Sequence, residues 1–295
     1  MNLEALEEFG ARISADAKAL GPMETKEFSE RRKNYPFYGY AEVVTKYVAP
    51  FVMFCNNDEV FAYCANWNGA FDYEEHTLRA WSLLCKESSA ILDIGAHVGL
   101  FSLVAALSNP KAEIDAFEAI DHIFARLFVN AQANRFFKVR PHLAAVSDGE
   151  GWIDMNIRSG PRLMSTGASV VDRGKSVAVK RINKISIDNF LQGRPVDLMK
   201  IDVEEHEFHV IRGGIKSINM HKPTILAEIL TPEILASVTG LVTPLGYDAY
   251  WLSEHDGSLS DIKADRPSSS RNVLLRHPSR AIGGLKIPSA KSTSP

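Results

Sequence analysis

The ionisable residues with the clearest chemical potential lie at the ends of short apolar runs. Asp93 lies within one such run and Glu118 ends the next, and glycines follow the first run at positions 95 and 99. A carboxylate at such a place can accept hydrogen bonds from ribose hydroxyls or face a cationic group. A glycine-bracketed turn lets backbone and ligand approach closely. These residue types therefore indicate a site for a ligand that contains a nucleoside.

A second group of ionisable residues follows a later apolar run: Lys200, Asp202, Glu204 and His206. Alternation along an extended chain places the first three on one side, where they are costly to bury unless they are paired or used. The carboxylates could hold an amino group, take a proton from a hydroxyl or, with Glu228, bind a divalent metal. His206 could be a base. The simpler interpretations are a Lys200–Glu204 ion pair and a polar helix start at His206.

The first group needs elements that bring its members together. Ile91–Ile94 is apolar and predicts a buried parallel strand that ends at Gly95. Leu100–Leu107 predicts a helix, whose start offers free N–H groups. Ile114–Phe117 predicts the next strand. This is the order of a βαβ unit, which brings Glu118 beside the turn.

The spacing of the turn argues against a dinucleotide. A dinucleotide fingerprint has the pattern Gly-x-Gly-x-x-Gly, whereas His97 stands at its third position here and Asp93 would repel a pyrophosphate. An adenosine cofactor that carries an amino acid and a sulfonium fits better. Asp-x-Gly-x-x-x-Gly with a later acid resembles the first two motifs of S-adenosylmethionine (SAM)-dependent methyltransferases. The alternative is an ordinary α/β turn whose aspartate caps a helix.

Further periodic segments continue the α/β pattern. A helix is predicted from Asp121 to about Phe136 and a third strand over Val139–Val146, where Ala145 and Val146 could pack beside an adenine ring. A proline-led helix is predicted to start at Thr231. Four later strands are predicted over 197–202, 223–229, 248–252 and 272–275.

Residues 151–185 interrupt this rhythm as an inserted hairpin. Strands are predicted over Trp152–Arg158 and Ser176–Ile182, and residues 158–184 carry seven Lys or Arg against one Asp, a local charge of +6. A solvated hairpin is one interpretation. The other is an electropositive cover over an anionic acceptor, formed by Arg158, Arg162, Arg173 and Lys175.

Length and composition limit the remaining classes. The chain has 295 residues and a formal net charge of −3, so no global field favours nucleic acid. Three cysteines without a CxxC pair favour a reducing compartment. The longest apolar run, Tyr47–Cys55, is too short for a transmembrane segment, and we find no basic leader, so we expect a cytoplasmic protein.

Three regions are predicted along the chain. Residues 1–72 form a helical extension with a hairpin of strands Phe51–Cys55 and Val60–Cys64. Residues 73–278 form the main domain, and residues 279–295 are expected to be disordered.

The combined motif order over roughly residues 73–276 resembles the FkbM family of SAM-dependent methyltransferases. The matching positions are Asp93/Gly95/Ala96/Gly99, Phe117-Glu118, Leu127/Asn130/Asn134, Ala145-Val146-Ser147-Asp148, Lys200 to Glu204 with Glu207, Glu228-Ile229 and Asn272 to Leu275. The resemblance implies a Rossmann-like methyltransferase fold: a mostly parallel seven-stranded sheet with helices on both faces and an antiparallel last strand. It also implies methyl transfer, usually to a hydroxyl of a sugar or secondary metabolite.

Three positions depart from the family pattern. His97 stands where the family usually has Asn, Ala119 where it has Pro, and Glu205 where it has Gly. His97 keeps a hydrogen-bonding side chain, whereas Glu205 adds charge and removes backbone freedom near the expected acceptor. A SAM-fold binding module that has lost catalysis is therefore an alternative, and a nicotinamide-dependent oxidoreductase is a further one.

We thus expect an O-methyltransferase that uses SAM, acts on a small-molecule or glycan hydroxyl and has no resident metal. The expected SAM-binding residues are Asp93, Gly95, Ala96, His97, Gly99, Glu118, Ala145 and Val146. The expected catalytic residues are Lys200, Asp202, Glu204 and His206.

Overall fold

A computed structural model describes most of the chain, namely residues 24–68, 73–157, 164, 178–268 and 270–288. The chain divides into two compact units, one of residues 1–73 and 161–164 and the other of residues 74–160 and 165–295. Within the described ranges, no helix has the length and apolar character needed to cross a membrane.

The N-terminal unit contains a two-stranded sheet and short helices. Its elements are a 3₁₀ turn (Thr25–Glu27), α1 (Phe28–Asn34), β1 (Tyr38–Val43), β2 (Phe51–Asn56) and α2 (Val60–Asn68). β1 and β2 pair antiparallel along their whole lengths. The hairpin partner of β2 therefore precedes it in the chain.

The strand predicted over Val60–Cys64 is wrong, because this segment begins helix α2. The Glu59 carboxylate accepts hydrogen bonds from the N–H groups of Phe61 (2.8 Å) and Ala62 (2.7 Å). These are donors that a helix start otherwise leaves without partners, so the local capping favours the helix. The apolar run carries no alternation that would have distinguished a strand from a buried helix.

The second unit is an α/β domain. In chain order its elements are α3 (Glu75–Lys86), β3 (Ala90–Ile94), α4 (Leu100–Ser108), β4 (Glu113–Glu118), α5 (Asp121–Ala133), β5 (Val139–Leu143), β6 (Ala145–Ser147), β7 (Gly151–Ile157), β8 (Ala178–Ser186), α6 (Ile187–Leu191), β9 (Leu198–Ile201), α7 (Glu207–Gly213), α8 (Ile215–His221), β10 (Thr224–Glu228), α9 (Pro232–Val242), a 3₁₀ turn (Thr243–Leu245), β11 (Asp248–Leu252), β12 (Leu259–Asp261) and β13 (Asn272–Arg276).

The main sheet has eight strands in the order β12-β11-β13-β10-β9-β3-β4-β5. The five strands from β10 to β5 run parallel, and β13 runs antiparallel to β10. The α/β class, the mostly parallel sheet and the antiparallel last strand are thereby confirmed. The count differs from the predicted seven because the short strand β12 extends the edge beside β11.

Helices cover both faces of this sheet. On one face, Ile94 and Met199 pack in a core that includes Val210 of α7 and Val238 of α9. Side chains alternate along a strand, so their neighbours Asp93 and Lys200 point to the other face. There they contact Ser102 and Phe101 of α4. The polar residues of β3 and β9 thus lie between the sheet and α4.

The third strand, predicted over Val139–Val146, is divided in the structure. β5 ends at Leu143, and the Ala144 N–H donates to the Glu118 carbonyl (3.1 Å) as the chain leaves the main sheet. β6 then pairs parallel with β8 in a separate three-stranded sheet of order β6-β8-β7. The strand is interrupted because β6 pairs with a strand that is distant in the chain. Local periodicity does not report such a pairing.

β7 and β8 pair antiparallel, which matches the two strands predicted for the insertion. The loop between them includes Arg158, Arg162, Arg173 and Lys175, which lie outside the described residues.

Part of the tail that we expected to be disordered is packed on the domain. Arg280 donates to Asp197 (Nη1 to Oδ1, 3.0 Å) and to the carbonyls of His221 and Lys222 at the end of α8. Ile282 is buried. The expectation is therefore corrected for the segment from Arg280 to Ile282, where these long-range contacts offset the entropy cost of ordering a polar tail. Residues 289–295 are outside the described ranges.

Candidate functional site

The turn after β3 is tied to β4 through its backbone. The N–H groups of Gly95 and Ala96 both donate to the Phe117 carbonyl, at 3.0 and 2.9 Å. Gly95 has φ +82°, and a Cβ there would lie 1.8 Å from the Asp202 carbonyl oxygen. Gly99 has φ +98°, and its Cβ would lie 2.6 Å from Leu127. Both glycines are therefore required by left-handed backbone and by neighbouring protein atoms.

Glu118 lies beside this turn, as the βαβ order predicts. Its Oε2 accepts the His97 N–H (3.0 Å) and its Oε1 accepts the Ile120 N–H (2.8 Å). Each carboxylate oxygen has two acceptor positions, so these two bonds leave capacity for further donors. Glu118 is 7% exposed, and burial raises its pKa to about 7, although the amide bonds oppose the shift.

Asp93 is enclosed between β3 and α4. It is 1% exposed, and its Oδ2 accepts the Ser102 hydroxyl at 2.5 Å. Burial raises its pKa to about 6, opposed by the Ser102 bond and by the charge of Lys200. Asp93 is the register partner of Lys200 on β9. The two groups of ionisable residues noted in the sequence are therefore continuous in space.

Lys200 is a buried cation at the end of β9. It is 1% exposed, and its Nζ lies 3.1 Å from Asp202 Oδ2 and 4.7 Å from the centre of the Phe101 ring. Burial alone would lower its pKa, but the negative charges of Asp202, Glu74 and Glu228 outweigh it and raise the pKa. The ion pair of Lys200 is thus with Asp202, whose side chain is 31% exposed.

Glu204 and Glu205 form the turn after β9 in an unusual conformation. Their φ angles are +54° and +77°, a left-handed region that side chains other than glycine rarely adopt. The turn is held by Glu207, whose Oε1 accepts the N–H groups of Val203 (3.4 Å) and Glu205 (3.2 Å). Glu205 therefore occupies, with backbone strain, a conformation that suits the glycine of the family pattern.

His206 is positioned away from Lys200, in a second polar group. Its Nε2 lies 2.9 Å from the Ser147 hydroxyl of β6, and its ring stacks on His209 at 4.4 Å. Burial, with the charges of His209 and Lys184, lowers its pKa to about 4. An imidazole that is so weakly basic is poorly matched to proton removal at neutral pH. The structure therefore favours the polar helix start over the base predicted from the sequence.

We call this second group the histidine cluster: Ser147, Asp148, Lys184, His206, His209 and Arg212. Asp148 is its acceptor, with His209 Nδ1 at 2.9 Å, Lys184 Nζ at 3.4 Å and Arg212 as a further ion-pair partner. The cluster joins β6 and β8 of the small sheet to α7.

Ala145 and Val146 are buried in β6. Val146 packs in the core with Phe117 and Ile187, and Ala145 is the register partner of Lys184. Their proposed position beside an adenine ring stays a prediction.

Two further residues lie near the carboxylates after β9: Glu228, which the sequence suggests only as a possible metal ligand, and Asn272, which is matched only to the family pattern. Glu228 ends β10, and Asn272 begins β13 directly opposite in the antiparallel register. Burial and the nearby Asp202 raise the pKa of Glu228 to about 8, while Lys200 opposes the shift. The sequence signal for Glu228 is its place at a strand end, as for Asp202. The position of Asn272 depends on strand pairing, which the sequence does not state.

We call the group around Lys200 the carboxylate cluster: Glu74, Lys200, Asp202, Glu204 and Glu228. In the described part of the chain, no three or more His, Cys, Asp or Glu residues are arranged to hold a metal ion. The buried acceptor positions of Glu118, next to the negative charge of Asp93, fit a ligand that carries hydroxyls and a positive charge.

Comparison with known proteins gives one family match. Residues 93–240 match the family described as the methyltransferase FkbM domain. No curated protein matches the chain.

The solved structures that resemble this one are distant. A methyltransferase FkbM from Methylobacillus flagellatus has 14% identity over 64% of this chain and 44% of its own, with a TM-score of 0.45. A SAM-dependent O-methyltransferase from Thermotoga maritima has 13% identity over 70% and 66%, with a TM-score of 0.40. Aeropyrum pernix fibrillarin, in complex with natively bound SAM, has 11% identity over 65% and 68%, with a TM-score of 0.38. The match thus spans less than half of the Methylobacillus chain.

Proposed function

Because the chain belongs to the FkbM methyltransferase family, we propose that it transfers the methyl group of SAM to a hydroxyl oxygen of a sugar, glycan or secondary metabolite. The observation that carries the proposal is Glu118. Its buried carboxylate is fixed by the amides of His97 and Ile120 and keeps acceptor positions for two ribose hydroxyls.

The other residues that we propose to bind SAM lie at the end of β3, on the turn that follows it and on β6. The negative charge of Asp93 favours the cationic part of the cofactor. The turn from Gly95 to Gly99 shapes the entrance of the proposed cofactor site. SAM supplies a methyl group that is already activated by a sulfonium. The proposed set is Asp93, Gly95, Ala96, His97, Gly99, Glu118, Ala145 and Val146.

For such a transfer the protein mainly orients the acceptor and removes one proton. Asp202 suits this end of the site because its side chain is 31% exposed while Lys200 fixes its orientation. Glu204 follows it in the strained turn. We therefore propose that Lys200, Asp202 and Glu204 lie near the acceptor and that His206 has a structural role.

The charge of the acceptor is a separate proposal. The described basic residues of the insertion already have acidic partners: Lys180 with Asp121 (2.5 Å), Arg181 with Asp154 (3.1 Å) and Lys184 with Asp148 (3.4 Å). They give no support to a cover for an anionic acceptor. That proposal depends on Arg158, Arg162, Arg173 and Lys175, outside the described residues. The three cysteines without a CxxC pair support our proposal of a cytoplasmic location.

Calorimetry tests the proposal. We expect SAM to bind with a dissociation constant in the low micromolar range, about −8 kcal/mol, and NADH not to bind. Glu118→Ala should weaken SAM binding by about 1.5–3 kcal/mol, through loss of charge-assisted hydrogen bonds to ribose. Glu113→Ala is the matched control, because Glu113 lies at the opposite end of β4 with its side chain 45% exposed.

Unchanged affinity in a folded Glu118→Ala variant would remove Glu118 from the site. SAM binding should be followed by transfer of a labelled methyl group to a component of cell extract. Binding without any transfer would instead favour the binding module, and NADH binding would favour the oxidoreductase.

A further inference from the structure

We propose that Glu228 is the catalytic residue that accepts the proton of the acceptor hydroxyl, beside the ion pair of Lys200 and Asp202. The proposal rests on the proposed methyl transfer and assigns a role that neither the sequence motifs nor the family match gives.

The first support is the position of Glu228 at the ligand-binding edge of the sheet. β9 and β10 are parallel neighbours with Ile201 opposite Ala227, so Asp202 and Glu228 follow at the same level. In open α/β sheets, ligands bind beyond the carboxyl ends of the strands. Both carboxylates lie two residues beyond a buried register pair, Lys200 and Leu226, and so share the face on which Lys200 lies.

A second support is a buried acceptor that lacks a donor. Asn272 faces Glu228 across the antiparallel pair and is 2% exposed. Its Nδ2 donates to Thr77 Oγ1 (3.1 Å), but its Oδ1 has no hydrogen-bond partner within the described part of the chain. A buried carbonyl without a donor is costly, and a hydroxyl of a ligand would satisfy it. The pair of Glu228 and Asn272 therefore suits an acceptor with neighbouring hydroxyls, as in a sugar.

The charges around Glu228 suit a base. The groups that act on it are Asp202, Lys200, Glu74, Glu204, Arg266 and Arg271, the last with Nη1 at 3.7 Å from Oε1. Burial and the surrounding carboxylates favour the protonated form of Glu228, and Lys200 limits the effect. A base whose pKa is close to the working pH combines availability with proton affinity.

The proposed step is balanced. The hydroxyl oxygen forms a bond to the methyl carbon, the bond from that carbon to sulfur breaks, and its electron pair stays on sulfur. The hydroxyl proton passes to an Oε of Glu228, which becomes a neutral carboxyl group. The products are a methyl ether and S-adenosylhomocysteine.

The role of Glu228 can be tested without an acceptor. A positive sulfonium near Glu228 would favour its ionised form, whereas the neutral thioether of S-adenosylhomocysteine would not. In the free protein, burial and the charge of Asp202 favour the protonated form of Glu228. SAM binding should therefore release a proton from Glu228, and S-adenosylhomocysteine binding should not.

The experiment is calorimetry of the full chain with both ligands, in buffers of different ionisation enthalpy, which counts protons released. On binding SAM, wild type should release more protons than Glu228→Gln, by up to about one proton. On binding S-adenosylhomocysteine, the two proteins should release nearly the same number. Glu233→Gln, an exposed change on α9, should match wild type with both.

Equal release by wild type and Glu228→Gln with SAM would overturn the assignment, whereas failure of wild type to bind SAM would overturn the proposed function itself. If Glu228→Gln does not fold, wild type labelled with ¹³C at glutamate carboxyls gives the answer. A carboxyl resonance that titrates near pH 8 should move to the carboxylate position with SAM but not with S-adenosylhomocysteine. An unmoved resonance would contradict the proposal.

Discussion

The carboxylate cluster and the histidine cluster both contact the segment that follows β9, yet burial affects them in opposite directions. In the carboxylate cluster, burial makes Glu228 hold a proton and raises its pKa to about 8. In the histidine cluster, burial makes His206 resist a proton and lowers its pKa to about 4. In both clusters, loss of solvent thus favours the neutral form of the titratable group.

The two shifts give opposite dependences of stability on pH. Folded Glu228 keeps a proton that the unfolded chain releases above about pH 4.5, so its contribution to stability falls as pH rises from about 4.5 to 8. His206 stays neutral in the folded protein below about pH 6.5, where it binds a proton in the unfolded chain. Its contribution is complete above about 6.5 and is lost as pH falls towards 4.

The largest expected effect comes from removing the cation of the carboxylate cluster. Lys200→Met should lower the free energy of unfolding by about 3 kcal/mol, because it leaves Asp202 and the buried carboxylates without their counter-charge. The low end of the usual range applies, since Asp202 is partly exposed. Urea denaturation at neutral pH measures the change.

Lys216→Met is the matched control, because Lys216 is exposed on α8. Its effect should stay within about 0.5 kcal/mol. Equal losses in the two variants would mean that Lys200 does not hold the carboxylates together.

The next effect compares the two clusters directly. Glu228→Gln should flatten the fall in stability between about pH 4.5 and 8, and His206→Asn should flatten the rise between about pH 4 and 6.5. Each slope changes by at most about 1.4 kcal/mol per pH unit, the value for one proton. Urea denaturation across this pH range measures both slopes.

Measurement at about pH 8 provides an internal control for His206→Asn, since the imidazole is then neutral whether the chain is folded or unfolded. At that pH, only the loss of the Ser147 hydrogen bond and of the stacking on His209 should remain. Slopes that change in the same direction in both variants would contradict the comparison.

The smallest effect concerns the turn between the clusters. Glu205→Gly should raise the free energy of unfolding by about 1 kcal/mol, because glycine adopts φ +77° without the strain that a side chain brings. Thermal unfolding measures it as a higher melting temperature.

Glu233→Gly in α9 should have the opposite sign, a loss of about 1 kcal/mol, because glycine is unfavourable within a helix. A Glu205→Gly variant that loses stability would show that its carboxylate contributes more than the strain costs.

The sequence predicts the arrangement of residues around the turn after β3 better than the arrangement around Lys200. Asp93, the turn and Glu118 follow one another in a single βαβ unit, so local periodicity and strand ends suffice to place them. The hydrogen bond between His206 and Ser147 could not be predicted, because its partners come from separate elements. Lys200 and Asp202 lie only two residues apart, but the alternation that places Lys200, Asp202 and Glu204 on one side does not decide which carboxylate pairs with the lysine. Asn272 reaches Glu228 only through the pairing of β13 with β10.

The wrong predictions about the fold have two origins. The start of α2 depends on local capping by the Glu59 carboxylate, whereas the division of β5 from β6 depends on the distant strand β8. The tail is held because Arg280 reaches Asp197, far from it in the chain. Each depends on a contact that composition and periodicity do not encode.

The strand order β11-β13-β10 also constrains how the domain is made. β11 is synthesised before β13, but among the described strands it pairs only with β12 and β13. As the chain emerges from the ribosome, β11 has no partner strand that links it to β10 until the segment Asn272–Arg276 is synthesised and inserted between the two. An exposed strand edge in that interval is open to aggregation. We expect chains stopped at residue 270 to leave β11 susceptible to protease, and protection of β11 in such chains would contradict this order.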